Sequence, residues 1–379
     1  MTMTTTPEPS PDLILAPVGI AHLTRSNADL IRPAVHGAAR LRVTTAAQLN
    51  GTPHIGTVTT VLTVFALAAH AAETLDLPAH VVFDALDNAP AERLTINGHP
   101  YTRTVADLVD TGRLDHDEPV AGFRRLLEFA ATASGVPYEI RPYRDYQALA
   151  PVRECLHHIA SRPEDFTPLV APADGRLRIR PRCPRCRLMD KTARGLRVEA
   201  DTDAVHLHSA CPRHGPYRET IEIAGTGGWY DANTPVRSLQ KGYLLAAERD
   251  THQACSVSID GADWGGAWYA HVLAPALALL GIPAARWPVS VFAPMILDRT
   301  GGKLSKTLYV RYGARYADLP PALLDLAALL DDHGEDALAA LWAEVRQWAA
   351  DPSRLHRSYT ADYLAALLPS APRTTTAVG

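Results

Sequence analysis

The stretch that decides the fold is Asn50-Gly51-Thr52-Pro53-His54-Ile55-Gly56-Thr57. It follows a short apolar run at 39–45 and precedes a long apolar stretch at 58–77, which predicts a strand, a turn and a helix in that order. Such a turn aims backbone N–H groups at a phosphate. His54 would lie at the helix entrance and donate to phosphate oxygens, while Gly56 would let a nucleotide approach the backbone. A Pro-His pair in an ordinary turn is the alternative interpretation, and this stretch alone does not decide between the two.

A second apolar run follows at 79–84 and has the continuous hydrophobicity of a buried parallel strand. With the first strand and the helix it makes a β-α-β unit, which predicts a right-handed crossover and a doubly wound parallel sheet. Ligands of such sheets bind at the carboxyl ends of the strands. Four polar residues would project there: Thr44, Thr45, Asp84 and Asp87.

The rest of the chain reads as an α/β protein with one insertion and a helical end. Helices are predicted at 119–134, 151–161, 238–249 and 267–280, and strands at 138–143, 254–259 and 288–297. The polar segment 96–117 is predicted to be irregular apart from a short helix at 104–110, and the Pro- and Asp-rich segment 163–175 is predicted to be a linker. Short exposed strands are expected within 176–224 and helices within 319–368.

This pattern predicts five parts. They are a lead-in at 1–38, the first half of the sheet domain at 39–165, an insertion at 166–228, the second half at 229–315, and a short helical C-terminal region at 316–379. The two ends, 1–11 and 369–379, are expected to be disordered.

Composition indicates a globular protein of a reducing compartment. Hydrophobic residues make up 47% and charged residues 21% of the 379 residues, the proportions of a soluble fold. The net charge of −4 gives no overall attraction to nucleic acid. The apolar stretch 58–77 is interrupted by His70 and Glu73, so we expect no membrane span and a cytoplasmic location. The sequence leaves the oligomeric state open and is compatible with a monomer.

The insertion carries two short motifs, Cys183-Pro184-Arg185-Cys186 and Cys211-Pro212-Arg213-His214. Each pair makes a tight knuckle, and two facing knuckles place four ligands tetrahedrally. Because the protein fills all four positions, a structural Zn²⁺ is predicted, with Cys183, Cys186, Cys211 and His214 as ligands. His206 and His208 are alternative ligands if His214 is not used, and a chance cluster is the alternative to any metal site. Cys155 and Cys255 are expected to be isolated thiols.

Two further motifs suit a nucleotide. In Gly301-Gly302-Lys303-Leu304-Ser305-Lys306-Thr307 two glycines hinge a loop with two ammonium groups, which can close over a triphosphate and neutralise the leaving pyrophosphate. A basic surface loop is the alternative. In Asp260-Gly261-Ala262-Asp263 a carboxylate at a strand end can accept hydrogen bonds from ribose, although Asp and Gly are also ordinary turn residues.

Pro53-His54-Ile55-Gly56-Thr57 and Lys303-Leu304-Ser305-Lys306-Thr307 together resemble the two signature motifs of class I aminoacyl-tRNA synthetases, His-Ile-Gly-His and Lys-Met-Ser-Lys-Ser. Gly261-x-Asp263 stands where that class keeps its ribose-contacting Gly-x-Asp. Within the class, the chain is most similar to class I lysyl-tRNA synthetases, which also carry a zinc ribbon between two Rossmann halves. The resemblance covers about 41–307 and implies a Rossmann-type, HUP-like sheet split by a zinc ribbon.

The chain departs from the family in two places. Thr57 replaces the last histidine of the first motif and keeps a hydrogen-bond donor, while Leu304 and Thr307 are mild changes. After Thr307 only 308–379 remain, and the helical part is shorter than the family's anticodon-binding domain and acidic at 331–336. We therefore expect this chain to lack a full anticodon-binding domain.

The resemblance implies attack of an amino-acid carboxylate on the α-phosphate of ATP, with Mg²⁺ on the phosphates, followed by transfer from the aminoacyl adenylate to an acceptor. Its implied catalytic residues are His54, Lys303 and Lys306. Its implied ATP-binding residues are Pro53, His54, Gly56, Thr57, Gly261, Asp263, Lys303, Ser305 and Lys306. The amino acid would lie near Thr44, Thr45, Asp84 and Asp87, either aspartate of which could instead cap a helix.

The acceptor is expected to be a small-molecule amine, a carrier protein or a tRNA, with biosynthetic amide formation suiting the short C-terminus best. Three alternatives stay open from the sequence. They are a genuine lysyl-type synthetase that charges tRNA, an inactive homologue that serves as a binding module, and a nucleotidylyltransferase.

Overall fold

The computed structural model describes residues 19–115, 117–266, 268–305 and 319–369. Its strands, in chain order, are β1 (Arg40–Gln48), β2 (Ala79–Leu86), β3 (Pro90–Ile96), β4 (His99–Thr104), β5 (Tyr138–Pro142), β6 (Ile179–Pro181), β7 (Met189–Asp190), β8 (Arg197–Ala200), β9 (Ala204–Cys211), β10 (Gly215–Glu222), β11 (Tyr230–Ala232), β12 (Ala254–Gly261), β13 (Val289–Ala293), β14 (Ile296–Leu297) and β15 (Tyr359–Thr360). The ends predicted to be disordered lie outside the described residues, apart from Pro369.

The α-helices, in chain order, are α1 (Ile55–Leu75), α2 (Val105–Asp110), α3 (Glu118–Ser134), α4 (Tyr143–Ala148), α5 (Ala150–Ser161), α6 (Pro163–Val170), α7 (Thr234–His252), α8 (Ala274–Leu279), α9 (Pro321–Leu324), α10 (Leu326–His333), α11 (Asp336–Ala350), α12 (Pro352–Leu355) and α13 (Ala361–Leu367). A π-helix, Tyr269–Leu273, leads directly into α8.

A five-stranded parallel sheet forms the centre of the fold, in the order β13-β12-β1-β2-β5. β1 pairs with β2 on one side and β12 on the other, so that Thr44 lies opposite both Val82 and Ser258. The predicted β-α-β unit and the Rossmann-type α/β fold are therefore confirmed. The order of strands reverses between β1 and β12, which is the switch point where such sheets bind ligands.

Helix α1 is the core helix of the sheet domain. It packs against β1, β2, α3 and α11, and most of its side chains are buried. Among the described residues it is the one helix long and apolar enough to cross a membrane, and 67% of its apolar window is buried inside the protein. Burial of that kind is typical of the central helix of a globular domain, where the apolar surface faces other protein elements.

The insertion is tied to the sheet domain by strand pairing. Within the insertion, β8, β9 and β10 form an antiparallel sheet, while β6 pairs with β11 and β7 extends the β3–β4 hairpin. A buried network strengthens the joint: Asn88 Nδ2 donates to Asp231 Oδ1 at 2.7 Å, and Arg180 forms an ion pair with the same aspartate.

Three predictions about local structure are wrong. The segment predicted to be irregular holds β4 of the β3–β4 hairpin, because the mostly polar sequence of β4 gives no apolar signal. The helix predicted at 104–110 is present. The predicted linker contains α6, which buries Phe166 and Val170. The strand predicted at 288–297 is divided into β13 and β14 at Pro294, because proline cannot donate to a ladder.

The C-terminal region shares its core with α1. Buried side chains of α10 and α11, including Leu341 and Trp348, belong to the same hydrophobic cluster as the inner face of α1. This region is helical as predicted, except for β15, which pairs in parallel with β14. The C-terminal helices therefore form part of the wall that supports the sheet edge described next.

Candidate active site

A cavity of about 1100 Å³ opens at the carboxyl ends of the parallel strands, and we call it the central cavity. Its walls are the ends of β1, β2, β12 and β13, the first turn of α1 and one side of α7. Its lining includes these predicted site residues: Pro53, His54, Gly56, Thr57, Asp84, Gly261, Asp263 and Lys303. They are distant in the chain and meet here because all strands of a parallel sheet end at one edge.

His54 caps α1 with its own ring. Its Nδ1 atom accepts a hydrogen bond from the backbone N–H of Gly56 at 3.1 Å. A neutral imidazole that accepts at Nδ1 carries its proton on Nε2, so the ring is set as a donor at Nε2. A Cβ atom on Gly56 would lie 2.9 Å from His54 Cε1, so glycine is needed here to make room for the imidazole.

The turn before His54 is attached to the C-terminal helices. The Thr52 hydroxyl donates to the carboxylate of Asp325, and the backbone N–H of Leu326 donates to the carbonyl of Pro53 at 2.9 Å. Asp325 is also the N-cap of α10, where its Oδ1 accepts from Ala327 N at 2.7 Å. The sequence reasoning missed Asp325. An aspartate ahead of an apolar helix is a cap signal, but nothing local names its second partner.

Asp298 holds the start of the lysine loop in a tight turn. Its buried carboxylate accepts from the backbone N–H groups of Thr300 at 2.8 Å and Gly302 at 3.1 Å. Gly301 has a φ of 79°, which a residue with a side chain adopts only at a cost. This turn fixes the direction in which the chain leaves toward Lys303.

Lys303 reaches across the mouth of the central cavity. Its ammonium forms an ion pair with Asp263, the carboxylate predicted to bind ribose. Ser305 is half-buried and lies outside the cavity lining, while Lys306 lies outside the described residues. The structure thus brings Lys303 and Asp263 together from opposite sides of one site.

The end of β12 supplies a second charged pair. Asp260 accepts from Lys241 Nζ at 3.3 Å and from the Ser258 hydroxyl at 2.9 Å. Gly261 follows at the cavity surface, where an added Cβ would lie 2.7 Å from Asp263 Oδ1. A side chain at Gly261 would therefore displace the Asp263 carboxylate.

Of the four residues predicted to lie near the amino acid, Asp84 lines the central cavity and the other three do not. Thr44 and Thr45 are buried in the middle of β1, which continues to Gln48, and neither lines the central cavity. Asp84 lines the cavity and accepts from Arg141 Nε at 2.6 Å. Asp87 lies beyond β2 and outside the lining. Burial raises the pKa of Asp87 to about 6, and its Oδ1 atom has no hydrogen-bond partner in the described part of the chain.

The sequence reasoning missed one entire wall of the cavity, which α7 provides. Thr234, Arg237, Ser238, Lys241, Gly242 and Leu245 all line the cavity. Their spacing of three or four residues places them on one face of the helix. That spacing was visible in the sequence, but the polar members gave no sign that the face would meet a cavity rather than solvent. Trp264 and Trp268 add an aromatic edge, with ring centroids 5.1 Å apart.

The predicted metal ligands lie together in the insertion. The ligand atoms of Cys183, Cys186, Cys211 and His214 all lie within 4.8 Å of one another. Cys186 Sγ is 3.5 Å from Cys211 Sγ, and Cys183 Sγ is 3.5 Å from His214 Nδ1. Sulfur ligands of a tetrahedral Zn²⁺ would be roughly 3.8 Å apart, given Zn–S bonds of about 2.3 Å. The cluster therefore fits a metal ion of that size and ligand preference.

The other candidate ligands are occupied elsewhere. His206 Nε2 lies 2.8 Å from Asp201 Oδ2 and His208 Nε2 lies 3.0 Å from Glu199 Oε2, so both imidazoles face carboxylates outside the cluster. Cys155 and Cys255 are buried free thiols, as expected. Burial raises the pKa of Cys255 to about 11.

Comparison with known proteins yields distant structural likenesses. No known family model matches the chain, and no curated protein is significantly similar to it in sequence. Similar solved structures include glutamate-tRNA synthetase from Elizabethkingia anophelis, with 14% identity and a TM-score of 0.38 over 86% of this chain and 70% of that chain. They also include Thermus thermophilus arginyl-tRNA synthetase, with 11% identity and a TM-score of 0.38 over 89% of this chain and 63% of that chain. Because these sequence identities and TM-scores are low, the likenesses carry no argument about function. The function of this chain has to be inferred from its own side chains.

Proposed function

We propose that this chain activates an amino acid with ATP, forms an aminoacyl adenylate with release of pyrophosphate, and transfers the activated acyl group to an acceptor. The observation that carries the proposal is the meeting of His54, Lys303 and Asp263 around one cavity at the switch point of a Rossmann-type sheet. Each group has the chemistry that one part of ATP requires.

The phosphate end of the site would be the first turn of α1. Backbone N–H groups at a helix N-terminus favour an anion, and the Nε2 proton of His54 adds a donor. Lys303 would stabilise negative charge that grows on the leaving pyrophosphate, and Lys306 is proposed for the same role. Mg²⁺, when bound to the phosphates, supplies further charge neutralisation. Thr57 lines the same turn and keeps a hydroxyl donor there.

The ribose end would be Gly261 and Asp263. The carboxylate of Asp263 can accept hydrogen bonds from two neighbouring hydroxyl groups, and it lies at the end of the strand where the lysine loop reaches over the cavity. ATP held at both ends would have its α-phosphate between the first turn of α1 and Asp263. Placing an amino-acid carboxylate in line with that phosphate would account for most of the catalysis, because the protein supplies position and charge rather than a covalent step.

We propose a small-molecule amine or a carrier protein as the acceptor. The surface of the C-terminal helices supports this choice, because Asp331, Asp332, Glu335 and Asp336 are all exposed there. Carboxylates on that face would repel a polyphosphate backbone. In the same proposal, Zn²⁺ at the Cys₃His cluster is structural and stabilises the insertion that carries β6 and β7.

Amino-acid-dependent exchange of pyrophosphate into ATP tests the proposal. We expect at least one amino acid to support exchange, and Lys303→Ala to lower the rate on the order of a hundredfold or more, as loss of a charge-stabilising donor does elsewhere. Lys306→Ala should act similarly. Lys191→Ala is the matched control, because Lys191 lies in the insertion outside the cavity lining, and it should leave the rate unchanged.

Three outcomes separate the proposal from its alternatives. ATP binding without exchange for any amino acid would contradict it and favour a binding module. Exchange with lysine followed by charging of bulk tRNA would favour a lysyl-type synthetase. Exchange without tRNA charging, together with amide formation on an added amine or carrier, is the expected result.

A further inference from the structure

One end of the central cavity, between β2, α7 and β12, contains a group of interacting side chains. Arg141 holds Asp84 and lies 5.6 Å over the ring of Tyr146, whose hydroxyl donates to the carbonyl of Arg237 at 3.3 Å. One turn further along α7, Lys241 contacts Asp260. Asp84, Tyr146, Arg237, Lys241 and Asp260 all line the cavity, so an amino acid bound beside ATP would meet this group.

The carboxylates at this end are already neutralised by the protein. The side chain of Asp84 is 4% exposed and that of its partner Arg141 is 11% exposed, so this ion pair is shielded from solvent. Asp260 has both Lys241 and the Ser258 hydroxyl as partners. A lysine-like or arginine-like substrate would have to displace a partly buried cation from one of these carboxylates, which leaves that cation without compensation.

Arg237, by contrast, is a cation of this group without a carboxylate partner among the described residues. In the described part of the chain, its guanidinium donates only to uncharged oxygens, the carbonyl of Ala232 at 3.3 Å and the hydroxyl of Thr234 at 3.4 Å. Both distances are long for hydrogen bonds from a charged donor. Within the described residues Arg237 has no carboxylate as an ion-pair partner, although it is half-buried. Arg93, from β3, lines the same cavity and likewise has none among the described residues.

We infer that the amino acid activated by this chain has an acidic side chain, and that Arg237 is the group that recognises it. This inference rests on the proposed function and names the substrate class of the same site. A planar guanidinium can bind a carboxylate with two parallel hydrogen bonds, whereas an uncharged amide or an ammonium group cannot make that pairing. Arg93 would add positive charge at the rim and attract the same substrate.

Pyrophosphate exchange with a panel of amino acids tests the inference on the unmodified protein. The panel contains aspartate and glutamate, their amides asparagine and glutamine, and lysine and arginine. We expect an acidic amino acid to give the highest kcat/KM, on the order of a hundredfold above its amide, because the amide leaves the guanidinium charge unpaired. A highest value for a basic or neutral amino acid would overturn the inference while leaving the proposed function intact. No exchange with these six or with any other amino acid would overturn both.

Substitutions of Arg237 test its assignment separately. In Arg237→Gln we expect KM for the acidic amino acid to rise on the order of a hundredfold, with KM for ATP unchanged. Arg237→Lys keeps the charge without the planar fork and should lie between Arg237→Gln and the native protein. Arg197→Gln, which changes an exposed arginine of β8, is the control and should behave as the native protein does. An unchanged KM for the acidic amino acid in a folded Arg237→Gln protein would overturn the role of Arg237.

Discussion

Replacing Asp325 with alanine should lower both the stability of the fold and the rate of adenylation, for two separable reasons. One oxygen of the Asp325 carboxylate caps α10, and the other accepts from Thr52 in the turn before His54. Loss of a helix N-cap costs about 1 kcal/mol. Loss of the half-exposed hydrogen bond to Thr52 costs about 1 kcal/mol more. The free energy of unfolding, measured with urea, should therefore fall by about 2 kcal/mol.

The expected fall in kcat comes from loss of the hydrogen bond between Asp325 and Thr52 and not from loss of the helix cap. If the whole energy of the Thr52 contact helps to hold His54 in the transition state, its loss lowers kcat about fivefold. KM for ATP should change little, since the helix N–H groups remain. Pyrophosphate exchange measured over a range of ATP concentrations separates the two constants.

Two further variants distinguish positioning from general stability. Asp325→Ser restores a good N-cap but has too short a side chain to reach Thr52, so it should recover about 1 kcal/mol of stability and keep the lowered kcat. Thr52→Val removes the contact from the other side, and its kcat should fall to the same level while the cap stays intact. Native kcat in Asp325→Ser would refute the reasoning, because the contact to Thr52 would then position nothing.

Two other predictions concern the metal cluster and a buried carboxyl group. Cys183→Ser should lower the zinc content measured by elemental analysis well below one ion per chain and lower the melting temperature, whereas Cys155→Ala should keep the zinc; full zinc content in Cys183→Ser would contradict the site. Because burial raises the pKa of Asp87 from 3.8 to about 6, the folded state binds this proton more tightly, and the free energy of unfolding should fall as pH rises through that interval. Urea unfolding of Asp87→Asn should show a gain over the native protein that grows by up to roughly 3 kcal/mol between pH 4 and pH 7. An equal gain at both pH values, or the same trend in the exposed control Asp332→Asn, would speak against this origin.

The parts of the fold that could be predicted are those with local signals. The strand before Asn50, the turn at His54 and the apolar helix after it follow from hydrophobic runs broken by Gly and Pro, and the structure has them in place. The Cys and His knuckles are equally local, because each pair is fixed by its own tight turn. The main error at this edge concerned where β1 ends. The strand continues to Gln48, so Thr44 and Thr45 lie inside the sheet.

Contacts between distant segments could not be predicted from local pattern. Asp84 was expected near the amino acid, but its ion pair with Arg141, its neighbour across the β2–β5 pair, has no signal in the local sequence. The β3–β4 hairpin buries Tyr101, Thr102 and Thr104 of β4 and pairs with β7, a contact between distant segments that its polar sequence does not indicate. The local sequence also does not show that a side chain at position 56 would collide with the His54 ring.

The C-terminal region links the two halves of the proposed ATP site. Asp325 holds the turn that leads to His54, while the N–H of Tyr359 donates to the carbonyl of Met295 at 3.0 Å, just before the turn that leads to Lys303. Asp325 caps α10 and Tyr359 lies in β15, and both elements bury side chains in the same core as α1. The distance between His54 and Lys303 therefore depends on that packing. Electrostatic stabilisation of a transition state requires charges that are fixed before the reaction. A region that lines no part of the central cavity is thus expected to help set the catalytic geometry.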